Sequence, residues 1–122
     1  MAPLSIAEQI SIHQLLTHTS GLGSYFNEKF IASSRTLFRE IDDYKSVVAG
    51  GALAFQPGHG RLYSGTGYLL LGALIDKVSG ENYFDYIRQH IYQPVGMINS
   101  DSYEMDIPVV NRAIGDKATI LL

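Results

Sequence analysis

Thr66-Gly67-Tyr68-Leu69-Leu70-Leu71-Gly72-Ala73-Leu74-Ile75-Asp76-Lys77-Val78-Ser79 carries apolar residues around most of a helical circumference and leaves a polar strip only through Gly72, Asp76 and Ser79. Such a pattern predicts a helix buried on most of its sides. Downstream, Gly80 fits the residue just past a helix end and Asn82 the cap of a second helix, with a buried stripe of Tyr83, Phe84, Ile87 and Ile91 that Pro94 should stop. Upstream, residues 61–65 read as a structured turn, and residues 52–56 lie between Gly50-Gly51 and Pro57-Gly58-His59-Gly60, punctuation that argues for an extended or irregular connector. From Asn27 to about Gly50, Phe30, Ile31, Leu37, Phe38, Ile41, Tyr44, Val47 and Val48 recur every three or four residues and predict two or three short helices. Ser11 reads as the N-cap of a helix that shares Ile12, Leu15 and Leu16 on one face and ends by Gly21, with loop over 22–25. Beyond Met97 the pattern weakens into loop, and the chain ends on Ile120-Leu121-Leu122. No repeat or low-complexity segment interrupts this mainly α-helical outline with its one connector.

Composition narrows the function classes. A chain of 122 residues suits one domain and can bury roughly two thirds of the surface its unfolded form exposes. It is 46% hydrophobic and 17% charged, against about 25% charged in an ordinary soluble domain, so part of its apolar surface is expected to serve contact with further chain or a partner. The net charge of -3, with no run of Lys or Arg, excludes the electrostatic footprint of a nucleic-acid binder. No cysteine occurs, which removes disulfides, thiolate chemistry and Cys-based zinc sites and leaves the compartment open. The longest apolar run, 68–75, is far short of the roughly 18 residues a membrane span needs, and no secretory signal is seen at the start. No cofactor is implied.

Against this background several blocks stand out. Ile12-His13-Gln14-Leu15-Leu16-Thr17-His18-Thr19-Ser20-Gly21-Leu22 resembles the "LLTHTSGL" signature of the superfamily that holds class C β-lactamases, D-alanyl-D-alanine peptidases and related esterases. It is followed by Phe55-Gln56-Pro57-Gly58, Leu62-Tyr63-Ser64-Gly65-Thr66-Gly67-Tyr68, Leu70-Leu71-Gly72, Val78-Ser79-Gly80 and Pro94-Val95-Gly96-Met97, which resemble "F-x-P-G", "Y-S-N-x-G-Y", "L-L-G", "V-S-G" and "P-x-G-M" in the family's own order. One block alone is weak; five in register are strong. The resemblance runs over roughly residues 6–115. It implies the helical region of the β-lactamase/transpeptidase-like fold, without most or all of the α/β sheet part, and hence a single partial domain over 1–122.

The family's chemistry uses three motifs: a Ser-x-x-Lys nucleophile, a Tyr-x-Asn, and a Lys-Thr-Gly or His-x-Gly. Three positions before Lys29, Lys45, Lys77 and Lys117 stand Phe26, Asp42, Leu74 and Ile114, so no Ser-x-x-Lys occurs here, and Lys117-Ala118-Thr119 is not the third motif. In the family the nucleophile lies upstream of the first block, where only about ten residues stand here; the expectation is a central fragment, inactive alone. By resemblance, Tyr63 is the catalytic tyrosine, acting with the nucleophile's lysine as general base or proton shuttle. An ordinary phenol, with a pKa of about 10, needs a neighbouring cation to favour its charged form, and no residue of this chain obviously supplies one. Without the resemblance, Tyr63 reads as an ordinary partly buried aromatic.

Gly65 occupies the position of the family's substrate-orienting asparagine and cannot make its hydrogen bonds; the alternative reading is a glycine serving a turn with positive φ. His13 and His18, five apart and without acidic or cysteine ligands beside them, argue against a metal site. His18-Thr19-Ser20 is not a nucleophile–base pair, since such pairs meet across the fold rather than in sequence. Gly58 and Gly60 fit a turn and no phosphate-binding pattern. Two further readings stay open: a binding or assembly module whose exposed apolar surface, including 120–122, is covered by a homo-oligomer, or one piece of a split enzyme completed by a complementary fragment.

Overall fold

A computed structural model describes residues 8–48, 52–104 and 107–113; the expectations for 120–122 and for the 117–119 triplet lie outside these residues. Ser11 starts the first helix as the sequence predicts. Its Oγ accepts the Gln14 N–H at 3.2 Å, while Gln14 Oε1 accepts the Ser11 N–H at 2.9 Å, so each satisfies a donor the other leaves open. The helix, α1, is Ile12–Leu16. Of its expected apolar face only Leu15 is buried; Ile12 and Leu16 stay exposed.

The segment 27–48 forms short helical pieces around one aromatic cluster. Asn27 caps α2 (Glu28–Ala32) by accepting the Phe30 N–H at 3.0 Å, and its Nδ2 donates to the Val47 carbonyl at 2.7 Å, which ties α2 to α3 (Lys45–Val48). Between them lie two 3-10 turns, Arg35–Leu37 and Ile41–Tyr44. Phe30, Phe38 and Val47 are buried together, with Tyr25, Tyr44 and Val48 packed against them. Phe30 meets Tyr25 edge-on at a centroid distance of 5.2 Å and Phe38 at 4.9 Å, in the range where aromatic pairs gain beyond their burial. The second 3-10 turn is held by Asp43, whose Oδ2 accepts the N–H groups of Arg39 and Glu40 at 2.8 Å each; these bonds hold its carboxyl below the ordinary carboxylate range.

The longest helix, α4, is Gly65–Ser79, capped by Ser64 and ended by Gly80 in the left-handed region at φ +73°. The expectation that it is buried on most sides needs correction. Its buried residues are Thr66, Gly67 and Gly72, whereas Leu70, Leu74 and Val78 are exposed, Val78 at 85%. Of the polar strip through Gly72, Asp76 and Ser79, Gly72 is buried and Asp76 half-buried, and only Ser79 lies on the exposed side. Gly67 allows that approach: a Cβ there would stand 3.4 Å from the Leu15 carbonyl oxygen, so α1 and α4 meet almost backbone to backbone. One turn beyond Gly72, Asp76 Oδ1 is buried without a hydrogen-bond partner, and burial pushes this carboxyl up, partly offset by the Tyr83 backbone.

Asn82 caps α5 (Tyr83–Ile87), which runs on into a π turn, Arg88–Tyr92, just before Pro94. Its predicted buried stripe is only half realised: Tyr83, Phe84 and Ile87 are half-buried and Ile91 is exposed. Among the described residues, Tyr83 and Phe84 face a cleft rather than a closed layer. Arg88 fastens the following loop, donating to Asp85 at 2.7 Å, to Asp101 at 2.9 Å and to the Ser102 carbonyl at 3.3 Å. The described residues are helices and loops without a strand, matching a mainly α helical region of the β-lactamase fold.

Candidate active site

The first block and the tyrosine block, more than forty residues apart in sequence, are bound to each other by backbone groups. Along the connector, the N–H groups of Ala54, Gly58 and Leu62 donate to the carbonyls of Gly21, Thr19 and His18 at 2.8, 2.8 and 3.0 Å. Gly21 has φ +79°, and an added Cβ would collide with the Phe55 carbonyl oxygen, so this crossing admits only glycine. Residues 52–56 are irregular, as the flanking glycines and proline predict.

Ser64 is the pivot of this clasp. It is 1% exposed; its Oγ donates to the Gly23 carbonyl at 2.8 Å and accepts the Gly67 N–H at 3.0 Å, joining the first block to the start of α4. The Ser64 N–H donates to His18 Nδ1 at 3.2 Å. Tyr68 adds a tie from the next turn of α4, its hydroxyl donating to the Leu16 carbonyl at 3.0 Å. Ser20 is fully buried and its Oγ accepts the Leu22 N–H at 3.3 Å, the position of a turn-former rather than a nucleophile.

Tyr63 stands between these anchors and points outward, 74% exposed, its ring 4.9 Å from the His18 ring. No hydrogen bond reaches its hydroxyl among the described residues. Gly65 is two residues on, at the first position of α4. It is not one of the positive-φ glycines, so the turn reading of this residue fails; space is what it provides. A Cβ there would lie 3.1 Å from Tyr25 Cε1, so the Tyr25 ring already occupies the direction an asparagine side chain would leave from. Tyr63 and Gly65 are therefore brought to one turn. His13, at the far end of α1, is exposed and takes no part in it.

Beside the clasp, a cleft of about 220 Å³ opens between α4, α5 and the second 3-10 turn, with Tyr25, Tyr44, Tyr68, Gly72, Tyr83 and Tyr103 in its wall; Tyr63 does not line it. Among the described residues no group of three or more His, Asp or Glu side chains could hold a metal ion, and no helix is long and apolar enough to cross a membrane. The role of His18 escaped the sequence because its partner is a backbone N–H 46 residues away. The Ser64 cap had a signal, a serine two residues before Thr66 at the start of a helical pattern.

Comparison with known proteins places this geometry. The family model described as Beta-lactamase matches residues 3–118. Penicillin-binding protein 4* of Bacillus subtilis (strain 168) is 35% identical over 96 residues, covering 77% of this chain and 21% of that protein. Lovastatin esterase of Penicillium rubens is 30% identical over 101 residues, 80% of this chain and 25% of the esterase. In structure, a penicillin binding protein from Bacillus halodurans superposes with a TM-score of 0.73 at 27% identity, over 86% of this chain and 35% of that one. The chain thus spans between a fifth and a quarter of the length of these curated relatives. With a match over almost its whole length and the first-block and tyrosine-block residues clasped into one site, the chain belongs to the Beta-lactamase family of hydrolases.

Proposed function

We propose that these residues are the tyrosine-bearing helical portion of a serine hydrolase that cleaves a β-lactam, peptide amide or ester through an acyl-enzyme, and that Tyr63 is its proton relay. The observation that carries this reading is the presentation of Tyr63: a turn anchored on both sides holds the phenol out, 74% exposed, instead of burying it as a core aromatic. Acyl transfer needs a hydroxyl deprotonated by a neighbouring base and a proton returned to the leaving group. A phenol aimed at open space can do both once a serine and a lysine stand before it. The 122 residues contain no Ser-x-x-Lys, so by themselves they supply the relay and not the nucleophile. Relatives named as a penicillin-binding protein and an esterase support acyl transfer as the reaction class without choosing among its substrates.

The test is an assay with a chromogenic β-lactam and a nitrophenyl ester. The chain alone is expected to show no turnover above its Tyr63→Phe variant. Mixed with those parts of Penicillin-binding protein 4* that it does not match, it is expected to restore hydrolysis that Tyr63→Phe lowers by about 10²–10⁴-fold, the usual contribution of a positioned acid–base group. Turnover by the chain alone that Tyr63→Phe abolishes, or a penicillin adduct on one of its serines, overturns the proposal.

A second reading, a binding or assembly module, rests on a separate observation. Leu70, Leu74 and Val78 form an exposed stripe along α4 with spacing of four, and Ile12 and Leu16 of α1 are exposed as well. Self-association or the complementary part of a split enzyme would cover it. A monodisperse monomer in sedimentation, unchanged by Leu74→Asp, counts against self-association.

A further inference from the structure

His18 supplies anchors on both sides of the tyrosine turn, and its own backbone conformation is unusual. Its backbone lies at φ +61°, in the left-handed region that side chains with a Cβ avoid. In that conformation its carbonyl accepts the Leu62 N–H at 3.0 Å and its Nδ1 accepts the Ser64 N–H at 3.2 Å. These are the backbone N–H groups of the two residues that flank Tyr63. The same imidazole packs against the Tyr63 ring at 4.9 Å and against Tyr68 at 5.2 Å. One residue therefore grips the tyrosine turn on both sides and supports its ring.

We propose that His18 is the positioning residue of Tyr63, and that it holds the phenol in place only as a neutral imidazole protonated on Nε2. The chemistry follows from the donor. A backbone N–H can only donate, so Nδ1 must carry a lone pair, and a neutral ring then bears its proton on the other nitrogen. Protonating the imidazole puts an N–H against the Ser64 N–H, turning that attraction into repulsion and releasing one side of the turn. The Leu62 bond, made by the backbone carbonyl, is left intact. Among the described residues, the Tyr63 ring of the turn and the Tyr68 ring of α4 pack against the imidazole, and no ion pair reaches it. The inference rests on reading Tyr63 as the relay for its functional meaning, but its test needs no catalysis.

In the 122-residue chain labelled with ¹⁵N, the His18 ring nitrogens are expected to report the Nε2–H tautomer at pH 8. The Tyr63 ring resonances and the Ser64 amide are expected to shift together as His18 protonates. His18→Asn offers an acceptor oxygen where Nδ1 stood, tolerates the left-handed backbone and does not titrate; it should retain Ser64 amide protection and abolish the acid-induced shift of Tyr63. His18→Gly keeps the backbone freedom and loses the acceptor, and should exchange the Ser64 amide about tenfold faster, the loss of one hydrogen bond, with the Leu62 amide unchanged. An Nδ1–H tautomer in the parent, or a Tyr63 acid shift that survives in His18→Asn, overturns the proposal. The tautomer measurement stands even if the glycine variant does not fold. Should these results hold while reconstituted hydrolysis ignores Tyr63→Phe, the clamp is real and the catalytic reading is what fails.

Discussion

Two regions of this chain are built on opposite principles. Around Phe30, rings pack on rings, and Phe30, Phe38 and Val47 are buried with few directional bonds between them. In the clasp, the buried groups are Ser20, Ser64, Gly21, Thr66 and Gly67, and what joins them is hydrogen bonds to backbone. Ring packing is non-directional and scales with area, so it anchors a segment without fixing one atom to within a few tenths of an ångström. Hydrogen bonds weaken steeply with angle, so a turn held by five of them has one geometry. A hydroxyl in the relay role proposed for Tyr63 would need the second kind of support, and the Tyr63 turn has it.

The largest effect that could break this contrast is Phe30→Ala. Removing a buried ring should destabilise the fold by about 3–5 kcal/mol, read by urea or thermal unfolding. If the two regions are as distinct as their construction suggests, amide exchange should rise first over 27–48, and the Ser64 and Gly67 amides should keep their protection longest. Uniform loss in both regions would make them a single cooperative unit. Next comes Ser64→Ala, which removes a helix cap and leaves the Gly23 carbonyl unpaired, at about 2 kcal/mol. Here the expected damage is local: the Tyr63 ring loses its fixed environment while the contacts of Phe30 with Tyr25 and Phe38 persist in nuclear Overhauser spectra.

The smallest effect separates two carboxyls of opposite sign. Burial raises the Asp76 pKa, so the stability tied to its proton is complete below the unfolded-state value of about 3.9 and is lost as pH rises through the higher folded value. Asp76→Asn should therefore stabilise the chain at pH 7, by less than about 1 kcal/mol, and give no gain at pH 3. Asp43 behaves in the reverse sense. The N–H groups of Glu40 and Arg39 lower its pKa, so its contribution is present above the unfolded-state value and fades as pH falls through the folded one. Denaturation midpoints across pH 2–7 for the parent and Asp76→Asn check both signs.

What the sequence made legible was local. Ser11, Asn82 and Gly80 announce helix ends by chemistry that acts within three residues, and the glycines and proline around 52–56 announce an irregular connector in the same way. The blocks from His13 to Met97 identified the family and put Tyr63 and Gly65 on one turn. The inner face of α4 is not legible in the sequence, because a small or polar residue can face a tight helix contact as well as solvent. Gly72 faces inward because it is small, Asp76 lies partly buried, and the leucines at 70 and 74 keep more than a third of their surface exposed. Nor could the pairing of His18 with Ser64 be read, since it joins a side chain to a backbone group, and a backbone N–H carries no letter in the sequence.

The near contact of α1 with α4 at Gly67 carries a consequence for how such chains diversify. With room for no more than a methyl group between the helix and the Leu15 carbonyl, neither partner can thicken further unless the other moves with it. Segments exchanged between homologues should take both strokes of the clasp from one parent, with crossovers falling after the helix or before the first block. The stretch between them keeps its buried rings and its crossing at Gly21, so length and identity are left to drift in its exposed turns.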